Sequence, residues 1–131
     1  MSVESILNLF QTQMIAFLDE LIAQFPAEAD LIIIRVFFKD QIPVVDVMNH
    51  VIQYVLPHKE KISKKDESFF LEDEKLFSGF SSHNVVHFKR LWLSPQLERD
   101  DKEAIWAWFG SFIILAERYQ KALASRVSLG K

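Results

Sequence analysis

The sequence predicts an all-α fold, a single compact bundle of five or six helices around a buried C-terminal helix, formed by residues 1–131 as one domain. The block Asp100–Leu123, DDKEAIWAWFGSFIILAERYQKAL, has helical spacing and is apolar on almost every side of its first half. Only three Gly and four Pro argue against an all-β fold with many tight turns. Half of the chain is hydrophobic and twelve residues are Phe, which is enough to bury a core without disulfides or metal. A helix without a polar, solvent-facing side must be surrounded by other helices, so we place the last helix at the centre of the bundle.

The first helix is expected from Val3 to Phe25. Ser2 precedes it as the N-cap, because a serine hydroxyl accepts a hydrogen bond from a free N–H of the first turn. Pro26 ends it or starts the next helix. Its apolar residues recur at three- and four-residue spacing and predict one buried stripe, which comprises Val3, Ile6, Leu7, Phe10, Met14, Phe17 and Leu21.

The middle of the chain contains an ambiguous apolar segment, Ala27–Lys39. Its β-branched residues have strand propensity, but a lone strand leaves its backbone groups unpaired. We therefore predict a second, deeply buried helix. Pro43 suits the first turn of a third helix, whose apolar residues repeat up to Leu56 until Pro57 breaks the pattern. The polar stretch His58–Asp66 is expected to be a surface loop or a frayed turn.

The remaining elements follow from short apolar clusters and their flanking signals. Glu67–Phe80 predicts one or two helical turns held on the core by phenylalanines, and a helix is expected from about His83 to Leu93. Asp100 or Asp101 is predicted to cap the last helix. The tail from about Ser125 is expected to fray. The side chains that we expect to be largely buried are Phe69, Phe70, Phe77, Trp92, Ile105, Trp108, Phe109 and Phe112.

Composition and charge narrow the function classes. There is no Cys, so disulfides, thiol chemistry and cysteine-ligated zinc are excluded, and an intracellular protein is expected. The net charge of −3 is unlike a generic nucleic-acid binder. The N-terminus has no basic region typical of a secretory signal, and the longest apolar run is too short for a membrane span of about 20 residues. Three scattered glycines do not make a phosphate-binding loop. We predict no enzyme activity, no catalytic or metal site and no cofactor.

A series of short motifs, in a fixed order, covers most of the chain from about Phe17 to Tyr119. The motifs are Phe17–Ile22 (FLDELI) before Phe25–Pro26, Leu56–Pro57 with Ile62, Asp66–Phe70 (DESFF), His87–Trp92 (HFKRLW) and Asp101–Trp106 (DKEAIW). This order resembles a family of short helical proteins without an established activity, encoded by large nucleocytoplasmic DNA viruses. The resemblance implies a viral protein that acts in the host cytoplasm or is packaged in the virion. It implies no reaction.

The first helix carries a second apolar flank. Ile15 and Ile22, seven residues apart, share this flank with Leu18. An apolar flank on a surface helix can be an association seam for a protein partner or a second copy, but another helix of the same chain would cover it equally well. A non-catalytic protein-interaction or structural protein is the function that we predict first.

The alternative prediction is a nucleic-acid-binding accessory protein. Its phosphate patch would consist of Lys59, Lys61, Lys64, Lys65, Lys89 and Arg90 if folding brought the two basic clusters together. Acids between the lysines, such as Glu60, reduce the positive charge of this segment. A solvated surface loop would explain the same run of charged residues.

Two further groups of polar residues could support metal binding or acid–base chemistry. His83 and His87 lie four residues apart on a predicted helix and could share a metal ion, but a third ligand would have to come from the fold. The acids that could supply a general acid and base are Asp66, Glu67, Glu72, Asp73 and Glu74. Solvent-facing histidines and a solvated acidic face are the favoured interpretations.

Overall fold

The computed structural model describes residues 2–71 and 89–129, and this part of the chain is all-α without a strand, as predicted. The helices are α1 (Val3–Gln24), α2 (Ala29–Val36), α3 (Val44–Tyr54), α4 (Lys59–Ser63), α5 (Ser68–Leu71) and α6 (Arg99–Leu129). A π-helical turn, Phe37–Gln41, follows α2, and a 3₁₀ turn, Leu56–His58, joins α3 to α4. The long α6 packs against α1, α3 and α4, which confirms its central position in the bundle.

Helix α1 begins and ends where the sequence predicts. The Ser2 hydroxyl accepts a hydrogen bond from the backbone N–H of Ser5 at 3.0 Å, which satisfies one of the free donors of the first turn. The residues of α1 that are buried are Val3, Ile6, Phe10, Phe17, Leu18 and Leu21. The predicted stripe is therefore the core face of α1, with Leu7 and Met14 half-buried at its edge.

Helix α1 is also long and apolar enough to cross a membrane, by length and composition alone. Its apolar residues are interrupted by polar ones, so the length of uninterrupted apolar runs does not reveal this property. A core helix of a bundle passes the same test, and one third of the relevant window is buried inside the protein. The ring of Phe10 packs edge-to-face on Phe112 of α6, with 5.8 Å between ring centroids, so this face of α1 is used in the core.

The second helix is helical as predicted but is not deeply buried. Only Leu31 of α2 is buried, although the segment is apolar on nearly every side. The reason is its position: α2 and the π turn lie on α1, so one face is covered and the opposite face is left to solvent. The expectation of a deeply buried helix was therefore wrong for all but one side of the segment.

The polar stretch after Pro57 is more ordered than expected. The 3₁₀ turn around Pro57 redirects the chain, and residues Lys59–Ser63 then form α4 instead of a loop. Ile62 is buried and anchors this short helix on the core. Lys65 has a φ of 56°, a left-handed conformation that ends the segment.

A cluster of aromatic rings joins α5, residues 91–92 and α6. Phe69 and Phe70 are both fully buried, as predicted. Phe70 lies 4.5 Å from the Trp92 ring and 4.8 Å from the Trp106 ring, measured between centroids. Phe109 completes the cluster at 5.1 Å from Phe70. The predicted burial of Phe77 lies outside the described residues, as does most of the helix expected from His83 to Leu93.

Helix α6 differs from prediction at both ends. It begins at Arg99, and Asp101 acts from inside the first turn, where its carboxylate accepts the backbone N–H of Glu98 at 3.0 Å. It continues to Leu129, so the tail predicted to fray from about Ser125 is helical. Trp108 is half-buried instead of central, because its indole N–H turns outward and donates to Glu20 of α1 at 2.6 Å.

Candidate interaction surface

The outer face of α2 is an exposed apolar strip. Ile32, Ile33, Val36 and Phe37 are each between 45% and 51% exposed. Residues four apart on a helix are surface neighbours, so Ile32 lies beside Val36 and Ile33 lies beside Phe37. We call these four residues the α2 strip.

Contacts on the opposite face hold the α2 strip outward. Leu31 is buried, and Ile34 and Phe38 are packed against the core. Arg35 donates to the Asp19 carboxylate of α1 at 2.6 Å, an exposed contact that is made in this rotation of α2 on α1. Turning the strip inward would break this ion pair and expose Leu31, so the strip is a consequence of how α2 is anchored.

The end of the strip coincides with a π-helical turn. The backbone N–H of Phe37 still bonds to the carbonyl of Ile33, so Phe37 keeps helical register with the strip. The N–H of Ile42 then bonds to the carbonyl of Phe37, five residues earlier instead of four, with an N···O distance of 2.8 Å. Single π-helical turns are uncommon and occur frequently at functional sites, which is consistent with a functional use of this face.

Other exposed apolar residues differ from the strip because they do not share one helical face. Val45, Leu93 and Ile114 are at least 36% exposed, but they lie on three different segments of the described chain. Single exposed apolar residues are normal on a protein surface, whereas contiguous apolar patches mark interaction sites. The α2 strip is therefore the feature of the described surface that needs a functional explanation.

The seam predicted on α1 is largely covered by the protein itself. Leu18 is buried and is not available to a partner, and Ile22 is partly buried against the core. Ile15 is half-buried. The predicted seam at these residues needs a correction: α2 lies on this side of α1, held by the ion pair to Asp19, and the apolar surface offered to solvent is on α2 instead.

The first basic cluster is partly neutralised by acids of α6. Lys59 forms an ion pair with Glu117 at 2.9 Å, and Lys65 forms one with Glu103. The residues of these two pairs line a groove of about 400 Å³, together with Ala107 and Gly110. Exposed ion pairs contribute little to stability, but here they place carboxylates beside two of the lysines that were predicted to meet phosphate.

The other members of the predicted phosphate patch differ in exposure and in pairing. Lys61 is half-buried, Lys64 is exposed and Lys89 is half-buried. Arg90 forms an ion pair with Glu28, the residue before α2, at 3.1 Å. Lys59 and Lys65 are thus paired with acids of α6, whereas Arg90 is paired with the residue before α2. These ion pairs do not join the two basic clusters into one patch.

Asp66 couples the basic segment to the start of α5. Its carboxylate accepts the backbone N–H of Ser68 at 3.0 Å. Hydrogen bonds from the backbone and the hydroxyl of Ser68 lower the pKa of Asp66 below its ordinary value of 3.8, and the charges of Lys61 and Lys64 lower it further.

We expect the Asp66 carboxyl to titrate below pH 3.8 in a carboxyl NMR titration. Because the folded pKa is lowered, the stabilisation by Asp66 is present at neutral pH and is lost as the pH falls through that lowered pKa. Ser68→Ala removes the hydroxyl but keeps the backbone N–H, so it should raise the pKa only part of the way. A midpoint at or above 3.8 in the wild type would contradict the assigned hydrogen bonds.

Few of the residues weighed for chemistry lie in the described structure. His83, His87, Glu72, Asp73 and Glu74 lie outside the described residues. Of the other histidines, His50 packs on Tyr54 at 4.8 Å and His58 on Phe69 at 5.6 Å, measured between ring centroids. Among the residues that the structure describes, no three potential ligands lie close enough to hold a metal ion.

Comparison with known proteins does not assign this chain to a family. No protein-family model, no curated protein and no solved structure matches the chain.

The sequence interpretation overlooked the α2 strip because it assigned the whole apolar segment to the core. A signal was nevertheless present. An eight-residue helix that is apolar on nearly every side has more apolar surface than one neighbouring helix covers. Arg35 identifies the side of α2 that faces α1 only once its ion pair with Asp19 of α1 is known, and the sequence does not reveal that pair.

Proposed function

We propose that this protein is a non-catalytic interaction protein that works through a protein partner or through its own copies. The observation that carries the proposal is the α2 strip, four neighbouring apolar side chains each about half exposed on one helical face. Burying such side chains is favourable by roughly 25 cal/mol per Å² of apolar area removed from water. A protein surface that removes the strip from water is therefore its natural complement.

The motif order described above supports the further proposal that the protein is viral and acts in the host cytoplasm or in the virion. The non-catalytic part of the proposal is supported by the sequence, which lacks a cysteine nucleophile and a glycine-rich phosphate loop. These two proposals are separate from the strip, and each can fail without the other.

The proposal is tested by comparing three tagged proteins in a pull-down from host lysate, with and without nuclease. The three baits are the wild type, Ile33→Glu and Leu93→Glu. Both substitutions replace an exposed apolar side chain by a carboxylate, but only Ile33 belongs to the strip. We expect a nuclease-resistant protein to be recovered with the wild type and Leu93→Glu and to be lost with Ile33→Glu.

The control for this experiment is the fold of the variants. Ile33 is 51% exposed, so Ile33→Glu should retain wild-type helicity by circular dichroism. Equal recovery with all three baits would exclude the strip as the binding surface. Recovery that disappears with nuclease would favour the nucleic-acid alternative and direct attention to Lys61 and Lys64, with charge reversal and a salt titration as the next measurements.

A further inference from the structure

We propose that a pocket between the start of α1 and the C-terminal third of α6 binds the phosphate group of a small phosphorylated compound. The pocket has a volume of about 480 Å³, which is within the range of small-molecule sites. Three of its described lining residues are cationic, Arg118, Lys121 and Arg126, and none of them is acidic. The whole chain has a net charge of −3, so this positive charge is a local feature.

The pocket combines a polar face of α6 with an apolar wall from α1. Arg118, Lys121 and Ser125 follow one another at three- and four-residue spacing, so their side chains share one face of α6. Val3 and Ile6 are both buried and line the opposite side. The pocket therefore offers positive charge to an anion and an apolar wall to the group that carries the anion.

Two of the three cations have no anionic partner. Arg126 forms an ion pair with Glu4 at the start of α1. In the part of the chain that the structure describes, Arg118 and Lys121 form neither an ion pair nor a side-chain hydrogen bond. Lys59, by contrast, is paired with an acid of the same helix α6. An anion that enters the pocket meets two positive charges that no carboxylate of the described chain neutralises.

Glu4 shows how an anion is held at this end of the bundle. A hydrogen bond from Arg126 and one from its own backbone N–H lower the pKa of Glu4 below its ordinary value of 4.5. The N-terminal end of a helix also favours negative charge. A phosphate monoester has about two negative charges and three acceptor oxygens, so it can bind several cations at once. A phosphate therefore fits the three cations of the pocket better than a carboxylate does.

The pocket is tested by NMR titration of the full chain with inorganic phosphate and with phenyl phosphate, at constant ionic strength. Near pH 8, where both probes carry about two negative charges, we expect saturable shifts of the backbone amides of Val3 and Ser125. The ring of phenyl phosphate can lie on the apolar wall, so phenyl phosphate should bind more tightly than inorganic phosphate. Equal affinities would overturn the role of the wall and leave a site for free phosphate.

Two double variants test the cations. Arg118→Gln with Lys121→Gln removes the two unpaired charges and should raise the phenyl phosphate Kd at least about tenfold. The matched control, Lys39→Gln with Lys64→Gln, removes two exposed charges outside the pocket and should change that Kd by less than about twofold. All four residues are exposed, so both variants should retain wild-type helicity by circular dichroism.

A change of opposite sign is expected for Glu4→Gln. It removes the carboxylate that occupies Arg126, so phenyl phosphate should bind at least about twofold more tightly. Glu60→Gln, at an exposed acid outside the pocket, is the control and should leave the affinity unchanged. Unchanged binding by Glu4→Gln would overturn the role of Arg126.

Three outcomes would overturn the pocket as a site for a small phosphorylated compound. The first is the absence of saturable shifts in the wild type, and the second is an equal loss of affinity in the two double variants. The third is an oligonucleotide that displaces phenyl phosphate at a lower concentration, which would favour nucleic acid. None of these outcomes affects the proposed function, because the α2 strip shares no residue with the pocket and is tested with Ile33→Glu.

Discussion

Replacing Phe70 by alanine is expected to lower the free energy of unfolding by about 3–5 kcal/mol. Phe70 is fully buried, and the rings of Trp92, Trp106 and Phe109 surround it within 5.1 Å between centroids. Removing its ring would leave a cavity lined by rigid aromatic side chains that cannot easily collapse. The loss is a large share of the roughly 5–15 kcal/mol that stabilises a typical domain.

The position of Phe70 in the chain adds to this expectation. It lies on α5, a four-residue helix. A helix so short is not stable in isolation, so α5 depends on the packing of Phe69 and Phe70. The Phe70→Ala variant should show a lower urea midpoint by circular dichroism. Leu93→Ala, at a position 65% exposed, is the control and should stay within about 0.5 kcal/mol of the wild type. A loss below about 1 kcal/mol for Phe70→Ala would contradict the aromatic cluster.

The second large effect is expected for Phe112→Ala, also about 3–5 kcal/mol. Phe112 is 1% exposed and packs edge-to-face on Phe10 and Phe17, both at 5.8 Å between centroids. These contacts join the first and last helices of the bundle, so the substitution weakens the seam between α1 and α6. Urea denaturation measures the loss, with Ile114→Ala, two residues further along α6 and half exposed, as the control.

A double-mutant cycle isolates the contact between the two helices. Phe10→Leu and Phe112→Leu remove the ring pair while keeping apolar bulk at both positions. Because each single variant already removes the ring contact, we expect the double variant to lose about 0.5–1.5 kcal/mol less than the sum of the two single losses. Additive losses would show that the two rings contribute separately, and the edge-to-face contact would then have no energetic role of its own.

Helix α2 shows the limit of periodicity as a guide to burial. In α1 the apolar stripe alternates with polar residues, so the pattern itself identifies the covered face, and the structure confirms it at Phe10 and Phe17. In α2 apolar residues point in every direction. The pattern predicts a helix there but does not say which side is covered. The side that is covered is the one that carries Leu31, Ile34 and Phe38, and the exposed Arg35–Asp19 ion pair accompanies that packing.

The basic residues show that the order of charges in the sequence does not reveal which charges pair in the fold. Their order along the chain predicted a phosphate patch, but sequence order does not reveal that Glu117 lies beside Lys59, or Glu28 beside Arg90. These partners are 58 and 62 residues apart in the chain. Only the packing of α4 on α6 and of residue 90 against the start of α2 brings them together.

By itself, the sequence determined the helical class, the start of α1 at Ser2, the break at Pro57 and most of the core phenylalanines. These features depend on neighbours within a few residues, whose helical spacing and capping chemistry are local. The tertiary structure alone decided which face of α2 is exposed, that Leu18 is covered, that Trp108 turns outward to Glu20 and that α6 begins before Asp100. Each of these outcomes depends on contacts between segments distant in the chain or on how a helix end is anchored, and such contacts are set by packing and not by periodicity.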